Sequence, residues 1–134
     1  MVTIETVYEG KLRTRARHLA SGEELITDAP VDNQGLGQAF SPTDLLSASL
    51  GSCMLTIMGI AADTHRLDID GARVAITKIM SSQPRRVSEI RLDIFMPANS
   101  IAEHHRLVLE RAAKTCPVAL SLHPDLIQTI NFHW

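Results

Sequence analysis

The stretch SPTDLLSASLGSCMLTIMGIAAD, residues 41–63, decides how the rest of the chain is read. Ser41 is a good helix N-cap, Pro42 suits the first helical position, and Asp44 sits where a capping acid belongs. From there to about Asp63 only Gly51 and Gly59 interrupt residues that favour a helix. Leu45, Leu46, Leu50, Cys53, Met54, Ile57, Met58 and Ile60 cover most of its circumference, so the pattern predicts a long buried central helix. Serines and glycines at 47, 49, 51, 52 and 59 leave room for close neighbours. The serines and Thr56 make the segment too polar for a confident membrane span.

Upstream, Val2, Ile4, Thr6 and Tyr8 alternate with Thr3, Glu5, Val7 and Glu9, which predicts a strand ending in a turn at Gly10. A second strand is expected over Lys11–His18, with Arg13, Arg15 and Arg17 on one side. Ser21-Gly22 marks a turn, Glu24–Thr27 reads as a short strand, and Asp32–Gln38 reads as a loop. Downstream, strands are expected over Ala72–Met80 and Glu89–Met96, joined by a polar loop over Ser81–Arg86. Ser100 with Glu103 predicts a capped helix running to about Thr115, before Pro117 blocks its simple continuation. A short helix over Val118–Leu122 and a closing strand over Ile127–Trp134 complete the order β-β-β-α-β-β-α-β. That order implies an α+β class with antiparallel sheets. A length of 134 residues fits a single domain, 1–134.

A net charge of −2 gives no global attraction to nucleic acid or an anionic membrane, and the scarcity of aromatics argues against a stacking platform for single-stranded nucleic acid. The first ten residues lack the basic start and apolar run of a signal peptide, so a cytoplasmic address is expected. In that reducing compartment two cysteines argue for free or redox-active thiols rather than a structural disulfide. Six histidines, at 18, 65, 104, 105, 123 and 133, form no metal-binding motif. No nucleotide-binding glycine motif appears, so neither a metal nor a cofactor is expected.

Cys53 lies in mid-helix. On position alone the favoured reading is a small inert hydrophobe, and a reactive thiolate there needs a nearby cation. Cys116 precedes Pro117. If a helix starts at that proline, Cys116 caps it, and backbone N–H groups favour its thiolate; an ordinary helix-end cysteine is as good a reading. A redox couple between the two is a third possibility. Among the three arginines, one that remained charged in a partly buried place could hold a thiolate or stabilise charge on a peroxide oxygen.

Ser41-Pro42-Thr43-Asp44-Leu45-Leu46, Gly51-Ser52-Cys53 and Ala113-Lys114-Thr115-Cys116-Pro117-Val118 together resemble the OsmC/Ohr family over nearly the whole chain. The resemblance implies antiparallel sheets around a long central helix in an intertwined homodimer, and reduction of organic hydroperoxides or hydrogen peroxide. It implies that Cys53 attacks the peroxide, that Cys116 condenses with the resulting sulfenic acid, and that a dithiol reductant, of lipoyl type for example, restores both thiols. It makes Arg13 the best match for the family's activating arginine and Arg15 the next. Where the hydroperoxidase branches carry a glutamate after the helix-starting proline, this chain has Thr43, with Asp44 one residue later. One residue rotates a helical side chain by about 100°, so Asp44 is read either as an active-site acid or as a cap. The pattern is closer to a less characterised OsmC-like branch, for which redox sensing or small-molecule binding without turnover is the alternative. A purely structural role for both cysteines is the third reading.

Overall fold

The computed structural model describes all residues, Met1–Trp134. In chain order the elements are β1 (Ile4–Gly10), β2 (Arg13–His18), β3 (Glu24–Asp28), a 3-10 turn (Val31–Asn33), α1 (Pro42–Thr64), β4 (Arg73–Ser81), β5 (Arg86–Phe95), α2 (Glu103–Lys114), α3 (Pro117–Ser121) and β6 (Ile127–His133). The α+β class and the order of elements follow the sequence expectation. By internal contacts the chain divides into two compact units, Met1–Leu46 and Ser47–Trp134.

The first unit holds the antiparallel sheet β1-β2-β3. Its β1–β2 turn carries Lys11 and Leu12 at φ 54° and 64°, a left-handed conformation more often given to Asn-Gly. Gly35 has no such freedom to lose: a Cβ there would collide with the Ala29 carbonyl, so the loop after β3 closes only on a glycine. The sheet is lightly covered. Ile4, Val7, Tyr8 and Leu25 remain exposed, and charged pairs bridge its strands.

The second unit is built on burial. Leu50, Met54 and Met58 recur every fourth residue along α1 and are fully buried, as are Ile90, Leu92 and Ile94, which alternate along β5. Leu109 and Ala113, four apart on α2, join the same cluster. Each large side chain so buried contributes about 1.5–3 kcal/mol. A Cβ on Gly51 would stand 2.5 Å from the Ile76 side chain, so the glycine lets α1 lie close against β4.

Three expectations are corrected. The sheets were expected to be antiparallel. β4 pairs with β5 in that sense, but β6 runs parallel to β5. Two helices intervene between β5 and β6 and return the chain in the same direction, as a crossover does. Burial of α1 on all sides is replaced by a single buried stripe, while Ser49, Ser52, Thr56 and Ile60 stay exposed. By length and composition α1 could cross a membrane; here its stripe enters the core of the second unit. The second long helix begins at Glu103 rather than at a Ser100 cap, with Ala102 before it and no capping side chain. Ile101 is drawn into the core instead, and its carbonyl accepts a hydrogen bond from Arg106 Nε at 2.9 Å.

Candidate functional site: two thiols and a braced arginine

Within the second unit, α1 presents Cys53 one residue before the buried Met54, which leaves the thiol half-buried at the edge of the core. Cys116 follows the end of α2. Its backbone is extended and Pro117 occupies the first turn of α3, so it is the N-cap expected from the sequence. Its sulfur accepts a hydrogen bond from the Ala119 N–H at 3.4 Å.

Cys116 is fully buried, and burial pushes its thiol pKa up. The Ala119 N–H acts in the opposite direction without prevailing. The neighbouring Cys53 thiol raises it further. The helix-cap argument for an acidic Cys116 therefore loses to desolvation. Both cysteines are free. Two thiols remote in the chain thus act on one another at the same core cluster, one with some access to solvent and the other without.

The first unit contributes a separate feature. Arg13 opens β2 and stands in register opposite Asp28, the last residue of β3. Its Nε donates to Asp28 Oδ1 at 2.7 Å and its Nη2 to Oδ2 at 2.8 Å, a bidentate pair. The Asp28 side chain is only 3% exposed and that of Arg13 32%. Gln38 joins from the loop after β3. Its N–H donates to Asp28 Oδ2 at 3.1 Å and its Oε1 accepts from Arg13 Nη2 at 3.2 Å. The hydrogen bond from Arg13 holds the Asp28 carboxyl below the usual carboxylate range, against the effect of desolvation. A cavity of about 210 Å³ borders this group, lined in part by Lys11, Arg13, Leu36 and Gln38.

Arg15 pairs instead with Glu9 at 3.0 Å and Glu24 at 3.4 Å on an exposed surface, and Arg17 is exposed. Asp44 closes a capping box: Ser41 N–H donates to its Oδ2 at 3.0 Å, and its own N–H donates to Ser41 Oγ at 3.1 Å. His65, His104 and His105 gather with ring centroids 5.4 and 4.1 Å apart, and no group of three side chains is arranged to hold a metal. Asp28 and Gln38 were not singled out from the sequence. An acid before Ala29-Pro30 carries no motif, and only the register of β2 against β3 brings it to Arg13.

An α+β protein with paired thiols beside the core helix is what the fold and these residues define. The family model of OsmC-like proteins matches residues 35–130, and the chain belongs to the OsmC family. Among solved structures, it is similar to a Psychrobacter arcticus protein assigned to osmotic stress and detoxification response. That protein shares 50% identity at a TM-score of 0.95, over 99% of this chain and 96% of the other. The same fold occurs in the organic hydroperoxide resistance protein OsmC of Legionella pneumophila, with 12% identity, a TM-score of 0.77, and 100% and 98% coverage. It also occurs in an organic hydroperoxide resistance protein of Elizabethkingia anophelis, with 17% identity, a TM-score of 0.70, and 99% and 96% coverage. No curated protein matches the chain.

Proposed function

We propose that this protein is a cysteine-based peroxidase that reduces organic hydroperoxides or hydrogen peroxide. The Cys53 thiolate attacks one peroxide oxygen and the O–O bond breaks. Cys53 becomes a sulfenic acid, and the alcohol, or water, leaves after taking up a proton. The Cys116 thiol then attacks the Cys53 sulfur, expels water and forms a disulfide. A dithiol of lipoyl type reduces that disulfide and is itself oxidised to its own disulfide. Arg13 supplies the permanent positive charge that favours the Cys53 thiolate, and Asp44 serves as the helix cap.

The observation that carries this reading is the pair of free thiols that act on one another, Cys53 partly open to solvent and Cys116 buried. Family membership and the hydroperoxide resistance proteins of the same fold support it. Free thiols suit a cytoplasmic address. The match over residues 35–130 crosses from one unit to the other, as a single domain requires. A homodimer supplies cover for the exposed Ile4, Tyr8 and Leu25 of the first sheet.

Thiol counting tests the reading. One equivalent of cumene hydroperoxide should remove two thiols per chain, and dihydrolipoamide should restore them repeatedly. A wild-type protein that keeps both thiols under several peroxides would falsify it. The bidentate engagement of Arg13 by Asp28 favours a second reading, a redox sensor that is oxidised once and does not turn over. Oxidation of both cysteines without reductant-driven cycling selects it.

A further inference from the structure

The carboxylate attached to Arg13 comes from a place the helix-start motif does not indicate. Asp28 lies at the end of β3, nearly withdrawn from solvent, and both its oxygens engage the guanidinium. Its Oδ2 also accepts the Gln38 N–H, and Gln38 returns a second contact through Oε1 to Arg13 Nη2. The Arg13 and Asp28 side chains and Gln38, through its backbone N–H and its side-chain Oε1, thus close a ring of hydrogen bonds spanning β2, β3 and the loop after β3. The Asp28 N–H donates to the Phe40 carbonyl at 3.1 Å and the Ala29 N–H to the Leu12 carbonyl at 3.1 Å, so the backbone beneath the ring is tied as well. Nη1 of the guanidinium takes no part in these bonds. A guanidinium pinned through Nε and Nη2 has its plane fixed and its third nitrogen still available as a donor.

We propose that Asp28 is the positioning residue for Arg13, with Gln38 as its second brace, and that this pair replaces a carboxylate at the helix start. The proposal rests on the reading that Arg13 favours the Cys53 thiolate. In it, Asp28 fixes the orientation of the arginine at the cost of some of its positive field. Glu9 is a further acid that acts on Arg13. Asp44 is left to the cap.

The test measures the rate of Cys53 alkylation by iodoacetamide against pH in full-length Cys116→Ser protein, and peroxide consumption in protein with both cysteines. Asp28→Asn should move the alkylation midpoint up by about one pH unit and lower peroxide consumption about tenfold, because the arginine loses its orientation. Asp28→Glu should restore part of both. Gln38→Ala changes an exposed side chain, so it carries the test if Asp28→Asn does not fold. It should move both readouts in the same direction by about two- to threefold. An alkylation profile that stays in place, or moves to lower pH because the unpaired arginine acts more strongly, overturns the proposal. A protein inert to peroxide whose profile still shifts in Asp28→Asn loses the peroxidase reading and keeps Asp28 as the positioning residue. An active peroxidase with an unmoved profile does the reverse.

Discussion

The region from Ser47 onward and the three-stranded sheet before it are held by different forces. In the former, α1, β5 and α2 contribute the fully buried Leu50, Met54, Met58, Ile90, Leu92, Ile94 and Leu109; Cys116 is buried within that cluster and Cys53 packs against it. In the latter, β1 is exposed along almost its whole length and the strands are bridged by Arg13–Asp28, Arg15–Glu9 and Arg15–Glu24. Burial is non-directional and does not titrate, so it makes a dry platform for thiols. Ion pairs are directional and depend on pH, so they can aim a guanidinium but add little to stability when exposed. The division suggests a rigid thiol-bearing part and a charge-bearing part whose geometry depends on protonation.

The largest expected effect tests the thiol platform itself. Cys53→Ser should lower peroxide consumption by about a thousandfold or more, with little change in thermal unfolding because the replacement is nearly isosteric. Cys116→Ser should stop the reaction at a sulfenic acid that dimedone captures; disulfide-linked chains in place of the dimedone adduct would break the assignment. Next, Leu50→Ala or Met54→Ala should cost about 2–5 kcal/mol in urea unfolding. Leu120→Ala, at a side chain 72% exposed, should stay within about 0.5 kcal/mol of wild type. Similar losses at both kinds of site would erase the contrast.

The exposed sheet gives the next prediction. Ile4→Lys together with Tyr8→Lys should convert a sedimenting dimer to a monomer, since the two side chains share one face of β1. A wild type that sediments as a monomer removes the proposed partner. A smaller effect concerns acid. Asp28 has a folded-state pKa below its unfolded value, so its stabilising contribution is present above the ordinary carboxylate range, near about 3.9. It is lost as pH falls below that range and through the lower folded value. Hydrogen exchange should show β2 and β3 amides losing protection in that window before those of α1 and β5. The smallest effect is expected from Arg15→Ala, which removes only exposed pairs. It should leave peroxide consumption within about twofold and respond weakly to added salt.

Much of this division was legible in the residues. The Ser41-Pro42-Thr43-Asp44 start fixes α1, and the capping box it encodes is present because its contacts are local. The alternation of Ile90, Leu92 and Ile94 places β5 in the core. The N-cap role of Cys116 follows from Pro117 alone. Less legible was anything that required knowing what lay opposite. The apolar circumference of α1 does not say which stripe would be covered. The cap at Cys116 suggests a more acidic thiol, whereas burial, which depends on every neighbouring element, reverses the sign.

Short-range rules thus settled from the sequence where helices begin, which residues alternate, and that two thiols lie on apolar elements. Only the folded chain decided that β6 runs parallel to β5, that Cys116 is the drier sulfur, and that Asp28 and Gln38 hold Arg13. The reason is physical. Caps and alternation depend on residues three or four positions apart, while register, desolvation and ion pairing depend on partners that the covalent chain does not keep near one another.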